Sequence, residues 1–411
     1  MRTLLCCALA LLVMPRSLRG DDWPSWRGPT FNGVAATRSV PLEWSETKNI
    51  VWKAPVPGRG HSSPIISGER VFLSTADEGR NVFSVLCYDR GSGKQLWRKD
   101  VLEGKSEGRI HAKNTRASST LACDGERVYA LFHKGDGIWA TALDYSGKQI
   151  WQKKVGGFVS HWGYSASPTI YRSSLIVATD HKEGGALHAL DLRTGDVLWE
   201  TPRPKAPTYA SPVVLKAGGK DQLVIAGAEK VISYDPASGK ELWSVKGTSV
   251  ECVSSIIAEG DRIFATGGFP DKETLCIRAD GSAEAVWRAK VGDFVPSQVL
   301  HKGYIYSVLD NGVALCLDAA SGKEMWKDRL RSNAFSASPI VVGDNVFIPS
   351  ETGVTHVFRA NPKKLDIVAE NQLGKQAFAS PAACGGRLFL RLVGDARQEW
   401  LYCIGEGAGG R

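Results

Sequence analysis

The chain has 411 residues, a hydrophobic content of 43% and a formal charge of +8. That length exceeds one ordinary core and calls for several domains or one large repeat architecture. The charge is mild and dispersed, three of the cations (Arg2, Arg16 and Arg19) fall within the first twenty residues, and no Lys/Arg run occurs, which argues against a nucleic-acid partner.

In chain order, residues 1–20 read as an export signal: a short positive start at Met1-Arg2, an apolar run from Leu4 to Val13, a break at Pro15 and a small residue at Gly20. Ten apolar residues are too few to cross a bilayer, so no transmembrane segment is expected. Cys6 and Cys7 open the apolar run with no small residue before them, which argues against a lipid anchor. The expected location is periplasmic or secreted. Residues 21–48 form a leader expected to pack on the fold that follows, and its Trp23, Trp26 and Arg27 fit either a cap on that fold or a partner-binding tail. NIVWKAPVPG (49–58) then reads as a lone strand carrying Trp52.

From here the sequence repeats. A Ser-led signature opens each unit: SSPII (62–66), SSTLA (118–122), ASPTI (166–170), ASPVV (210–214), SSIIA (254–258), PSQVL (296–300), ASPIV (337–341) and ASPAA (379–383). Each is followed by a turn and an apolar run such as GERVFLST or GDNVFIPS. Most units close on a second signature: YDRGSGKQLW (88–97), LDYSGKQIW (143–151), LDLRTGDVLW (190–199), YDPASGKELW (234–243), a degenerate IRADGSAEAVW (277–287) and LDAASGKEMW (317–326). The units follow one another at roughly 41 to 56 residues, the period of four-stranded propeller blades. Each reads as strands A to D, with the Asp-to-Gly turn joining C to D and a Trp in D. The predicted fold is an all-β, eight-bladed propeller of antiparallel blades over 49–406, with a tail at 407–411.

Trp52, Trp97, Trp151, Trp199, Trp243, Trp287 and Trp326 are the expected blade-docking plates. The eighth unit has no strand D of its own, so the N-terminal strand is expected to complete that blade and close the ring. The seventh unit has ANPKKLDIVAE in place of the Gly turn and Trp, so its D strand is expected to be the least regular. Seven cysteines follow the signal, an odd number set inside apolar runs and without CxxC spacing. They read as buried free thiols.

The repeated D-x-x-[ST]-G-K-x-[LI]-W turn resembles the PQQ-like repeats of the quinoprotein alcohol dehydrogenase-like propellers, over residues 49–406, and DDWPSWRGPTFNGV (21–34) is similar to the start of secreted bacterial proteins with such repeats. The resemblance implies an eight-bladed ring. In the dehydrogenases of that family it also implies PQQ, a calcium ion, an adjacent Cys-Cys disulfide and an Asp base. The mature chain has no adjacent cysteine pair and no convincing calcium set. It is compact, like the non-enzymatic outer-membrane assembly lipoprotein of the same family. No GxSxG, HExxH or P-loop motif occurs, so no catalytic residue and no metal ligand is assigned, and no cofactor is expected. PQQ with calcium belongs only to the alternative, a PQQ-dependent oxidoreductase.

Residues just before each strand A converge on one end of a propeller's central funnel. Those positions hold Arg59 and His61; His111, Lys113, Asn114 and Arg116; His161, Trp162 and Tyr164; and Tyr209, Glu251, Phe335 and Phe378, with Phe294 also in register. This mixed cationic and aromatic set is the expected ligand site. It suits an anionic or carbohydrate ligand, or a protein partner in the cell envelope. His61, His111 and His161 show no local metal motif. The functional reading is a binding or scaffold module acting as a monomer, with a carbohydrate- or envelope-binding domain as a further alternative.

Overall fold

The computed structural model describes residues 18–159 and 161–406. Residues 1–17 of the expected export signal and the tail at 407–411 lie outside the described residues. The chain forms eight four-stranded antiparallel sheets, seven of them in the sequential order A-B-C-D. Blade 1 holds Ile65–Ser67, Arg70–Asp77, Val82–Asp89 and Gln95–Glu103. Blades 2 to 7 repeat it over 122–157, 169–202, 213–246, 257–289, 299–329 and 340–372. In blade 8, strands Ala382–Cys384, Arg387–Val393 and Glu399–Ile404 take Ile50–Val56 as their strand D, so the two ends of the chain close the ring. Strands B and C are buried almost throughout, whereas D is half exposed, as the outer edge of each blade must be.

The second signature has a physical explanation. At every blade the C–D ladder slips by one residue immediately before the Trp position: Leu190 pairs with Val197 but Ala189 with Trp199, and Tyr88 pairs with Gln95 but Cys87 with Trp97. This bulge leaves Leu96 and Leu198 outside and turns the Trp inward. In blades 1, 2, 5, 6 and 8 the inward Trp meets a Phe or Tyr of its own strand B, as Trp97 does at Phe72 and Trp52 at Phe389, with centroids 6.0 Å apart in both. The strand-C position between them is small: Cys87, Cys276, Cys316 and Cys403 all stand opposite the Trp of their blade.

The same Trp reaches the next blade. Trp52 Nε1 donates to the Arg90 carbonyl in the C–D turn of blade 1, 2.9 Å, and its ring lies against Gly93. Gly93 has φ of 73°, and a Cβ there would come within 2.5 Å of the indole. The turn therefore needs glycine twice over, for its left-handed backbone and for the neighbouring plate. Trp97, Trp151, Trp199 and Trp287 dock in the same way on Tyr145, Leu192, Pro236 and Ala319, and Trp326 on Asn361. Trp243 docks through a relay: its Nε1 donates to Gln222, whose amide donates to Ala279 of blade 5.

Blade 7 corrects the sequence expectation. Its strand D, Asp366–Gln372, pairs along its whole length and carries the same bulge as the others. The turn has no Gly and the strand no Trp, and Ala369 stands in the Trp's place opposite Val357. The reason is on the next blade: blade 8 has no C–D turn for a Trp to dock on, because its strands C and D come from opposite ends of the chain. Trp44 of the leader fills the gap. It is buried and stacks on Phe347, the strand-B partner of the missing plate, with centroids 6.3 Å apart. Asn371 clamps it by accepting from Trp44 N–H and donating to the Leu42 carbonyl.

The rest of the leader crosses the A–B end of the channel. Trp23 pairs with Ile66 of blade 1, the Pro24 carbonyl accepts from Cys123 N–H of blade 2, and Asn32 makes two bonds to Ala258 of blade 5. Arg27 is buried and donates to carbonyls of Pro339, Asn32 and Gln298. All seven cysteines among the described residues are buried and unpaired, and burial pushes the Cys87 and Cys316 thiols up to about 12.

Candidate functional site

The Ser signature builds the channel wall. Ser63 N–H donates to Thr120 Oγ1, Thr120 N–H to Ser167, Ser255 N–H to Ser297, Ser297 N–H to Ser338, Ser338 N–H to Ser380, and Ser380 N–H back to Ser63. Ser167 N–H donates to Ser211 in the same way. The hydroxyls thus stitch successive blades around the axis. Between blades 4 and 5 the leader joins this ring: Trp26 Nε1 donates to Ser255 Oγ, 2.8 Å. Trp26 is the floor of a cavity above it.

That cavity, about 300 Å³, opens at the end where the D–A and B–C connections meet. Its wall includes His61, His111, Lys113, Asn114, Trp162, Tyr209, Glu251, Phe294 and Phe378 from the sequence-derived set, together with Trp26, Phe269, Val253 and Val295. The remaining expected residues do not meet there. Arg59 turns away to pair with Glu78 at 3.5 Å. Arg116 and His161 are absent from the wall; His161 instead packs edge-on against Trp162. Tyr164 is buried and donates to the Ala178 carbonyl, and Phe335 is buried in a core cluster beside Leu330 and Val341.

This redistribution changes the charge of the mouth. Lys113 stands on the long connection from blade 1 to blade 2 and pairs with Glu351 of blade 7, with Nζ 2.8 and 2.9 Å from its two carboxylate oxygens. Ser336 also donates to Glu351. His61 is recessed against Phe378, stacked at 4.4 Å, and burial beside Arg391 and Arg59 pushes it down to about 3, so it is neutral. Glu251 is the remaining carboxylate on the wall. Burial raises its pKa, opposed by a hydrogen bond from Trp162 and by the nearby His161. Tyr209 lies beside it, and its buried hydroxyl has no hydrogen-bond partner among the described residues.

One residue of the mouth escaped the sequence reading, and a second, Trp26, was offered there only as part of a cap or a partner-binding tail. Glu351 sits in a B–C turn, S-E-T-G, equivalent to L-D-N-G at 309–312, whose Asp310 accepts from Phe294 and Val295 N–H. Both loop sets face the same end, and an acid at one position in two successive units was a legible signal. Trp26 carried no positional signal, since the leader lies outside the repeat.

Among the described residues, the three histidines do not form a metal-ligand group, whereas Asp21, Asp22 and Cys384 lie close together. There Asp22 accepts from the N–H groups of Arg19 and Gly68, and Arg90 donates to Cys384 Sγ at 3.1 Å, so a guanidinium already supplies the positive charge. The cavity itself does not fit a tricarboxylate quinone with calcium. Calcium takes six to eight hard oxygens, whereas the wall offers one carboxylate outside the Lys113–Glu351 pair, and its lysine is already neutralised.

Residues 34–158, 82–328 and 277–368 match the family described as outer membrane protein assembly factor BamB. The assembly factor BamB of Burkholderia pseudomallei is 23% identical over 78% of this chain and 92% of its own length. Among solved structures, BamB from Moraxella catarrhalis superposes with a TM-score of 0.65 at 13% identity, covering 86% of this chain and 99% of that one. The quinohemoprotein alcohol dehydrogenase from Comamonas testosteroni gives 0.72 at 14% identity, covering 96% and 82%. At these identities the structural likeness shows the shared fold, common to proteins named as an assembly factor and as a dehydrogenase.

Proposed function

The chain belongs to the family described as outer membrane protein assembly factor BamB, and from that premise we propose that it is a binding scaffold of the cell envelope that receives a protein partner at the funnel mouth. One observation carries this reading: a cavity walled by aromatic rings is open at the loop end, while the leader crosses the other end of the channel. Concave, largely apolar sites with a few convergent polar groups are the usual form of a binding site. Phe269 at 52% exposed and Trp162 at 37% are the aromatics a partner meets first, and aromatic anchors are typical of interface hot spots. An envelope location accords with the expected export signal and the relatives' names, and no helix among the described residues is long and apolar enough to cross a membrane.

The experiment is site-specific photocrosslinking in cells, with the crosslinker at Phe269 on the rim and, as a control, at Leu198 on the outer edge. A discrete envelope-protein adduct from the rim and none from the edge is expected. Equal or absent adducts at both positions overturn the reading. The quinone-dependent alternative needs donors the cavity wall lacks, and saturable binding of PQQ with calcium at micromolar concentration would restore it.

A further inference from the structure

We propose that the funnel cavity is a cage for an organic cation, an ammonium or guanidinium group with apolar flanks, held by the Glu251 carboxylate within a wall of aromatic rings. The inference rests on the binding-scaffold reading and names the chemistry its site would take.

The argument begins from charge. Of the three cations expected to face the mouth, Lys113 is consumed by Glu351, Arg59 by Glu78, and Arg116 does not reach the wall. An anion entering the cavity would therefore find no free lysine or arginine side chain on the wall among the described residues and would meet Glu251. A neutral sugar would need several donors and acceptors on an open face, but the wall is predominantly apolar. A cation meets the opposite situation. Glu251 is tied by backbone to Phe269, its N–H donating to the Phe269 carbonyl at 3.2 Å, and Phe269 lies 5.6 Å from Phe294. Carboxylate and rings are thus placed together by one short bridge between neighbouring loops. Trp26 closes the floor, and its indole N–H is already committed to Ser255, which fixes the ring in place. Aromatic faces around a cation stabilise it electrostatically, most strongly where water is excluded.

Tyr209 is the second, independent observation. It is 8% exposed, lines the same cavity, and its hydroxyl has no hydrogen-bond partner among the described residues. A buried hydroxyl left unpaired is costly, and its oxygen can accept from an N–H of an ammonium or guanidinium group. The cavity volume, about 300 Å³, is at the lower end of small-ligand sites and matches one such group with its flanking carbons rather than a long chain.

Calorimetric titration of the purified protein tests this. Capped lysine and capped arginine represent a partner's side chain, and choline represents a free quaternary amine. The control is the uncharged tert-butyl isostere of choline. Saturable binding of at least one cation, roughly tenfold tighter than the isostere, is expected. Glu251→Gln should weaken the cation roughly tenfold and leave the isostere unchanged. Phe269→Ala, at an exposed rim where folding is not at stake, should weaken it several-fold. Preference for the capped residues over choline assigns the cation to a peptide, and the reverse assigns it to a free amine. Equal binding of the isostere, or no effect of Glu251→Gln in a protein with unchanged melting, overturns the cage. Loss of cation binding alongside a retained rim crosslink removes this inference and leaves the scaffold reading; cation binding with no crosslink does the converse.

Discussion

The seam between blades 7 and 8 differs from the other seven, and the difference shows what the repeated turn is for. At the ordinary seams one blade supplies a Trp and the next supplies the turn beneath it, so the Asp-to-Gly turn and the Trp of a single repeat serve two different contacts. At the exceptional seam both halves are missing together: blade 7 has Ala369 where the Trp would stand, and in blade 8 strands C and D, Glu399–Ile404 and Ile50–Val56, are not joined by a turn. Either absence alone would leave a hole or a clash. The leader supplies the plate from outside the repeat as Trp44. A break in a repeat is thus compensated from a distant segment, and the irregular strand expected in blade 7 does not occur.

The largest effect should come from the seam that closes the ring. Trp52→Ala empties the plate between blade 8 and blade 1 and leaves the Arg90 carbonyl without its donor. A loss of about 3–5 kcal/mol is expected by denaturant unfolding. Trp44→Ala tests the substitute plate and should cost about 3 kcal/mol, close to a blade Trp, because the side chain is 4% exposed. The comparison sharpens in the double variant. Ala369→Trp alone overpacks the seam and should cost about 1–3 kcal/mol, but Trp44→Ala with Ala369→Trp should be more stable than the two costs added, by about 1 kcal/mol or more. Strict additivity would show that Trp44 is not a replacement.

Sequence made the ring legible because propeller blades repeat their chemistry: the Ser signature, the turn Gly and the Trp recur, and eight of them leave a strand over at one end and a gap at the other. The contents of the mouth were less legible. Position before strand A told which residues approach the axis but not which way each side chain turns, so Arg59 and Arg116 were counted with the cavity although one pairs outward with Glu78 and the other stays off the wall. Glu351 lies 238 residues from Lys113, and no local pattern joins them. Their pairing removes the positive character that the positions before strand A had assigned to the mouth.

The turn glycines allow a finer comparison. A Cβ on Gly322 would come within 2.6 Å of Trp287, and φ there is 72°. Gly281, in the degenerate turn of blade 5, has φ of 95° but nothing within 4 Å. Gly322→Ala should therefore cost about 2–3 kcal/mol, from backbone strain and a displaced plate together, whereas Gly281→Ala should cost only the backbone part, about 1 kcal/mol. The open turn exists because Trp243 reaches blade 5 through Gln222 instead. Equal costs would mean that docking of the Trp adds nothing to the demand for glycine.

The smallest effect separates the turns by pH. In blade 6 the Asp318 carboxylate accepts from Ser321 N–H and O–H at 2.8 and 2.7 Å, and these bonds hold its pKa below the usual carboxylate value. A carboxylate lowered on folding contributes stability that is fully present above the unfolded pKa, near 4, and is lost as pH falls through the lower folded value. The blade 7 turn is held instead by Asn361, whose amide oxygen accepts from Lys363 N–H and does not titrate. Asp318→Ala should cost about 1 kcal/mol at pH 7 and progressively less as pH falls below 4, while Asn361→Ala should cost a similar amount at both ends. Melting temperatures of the two variants, each referred to the parent at pH 7 and pH 3, measure this directly. Parallel behaviour of the two variants would show that the carboxylate in the regular turns acts only through its shape, because a charge-dependent contribution has to disappear with the charge.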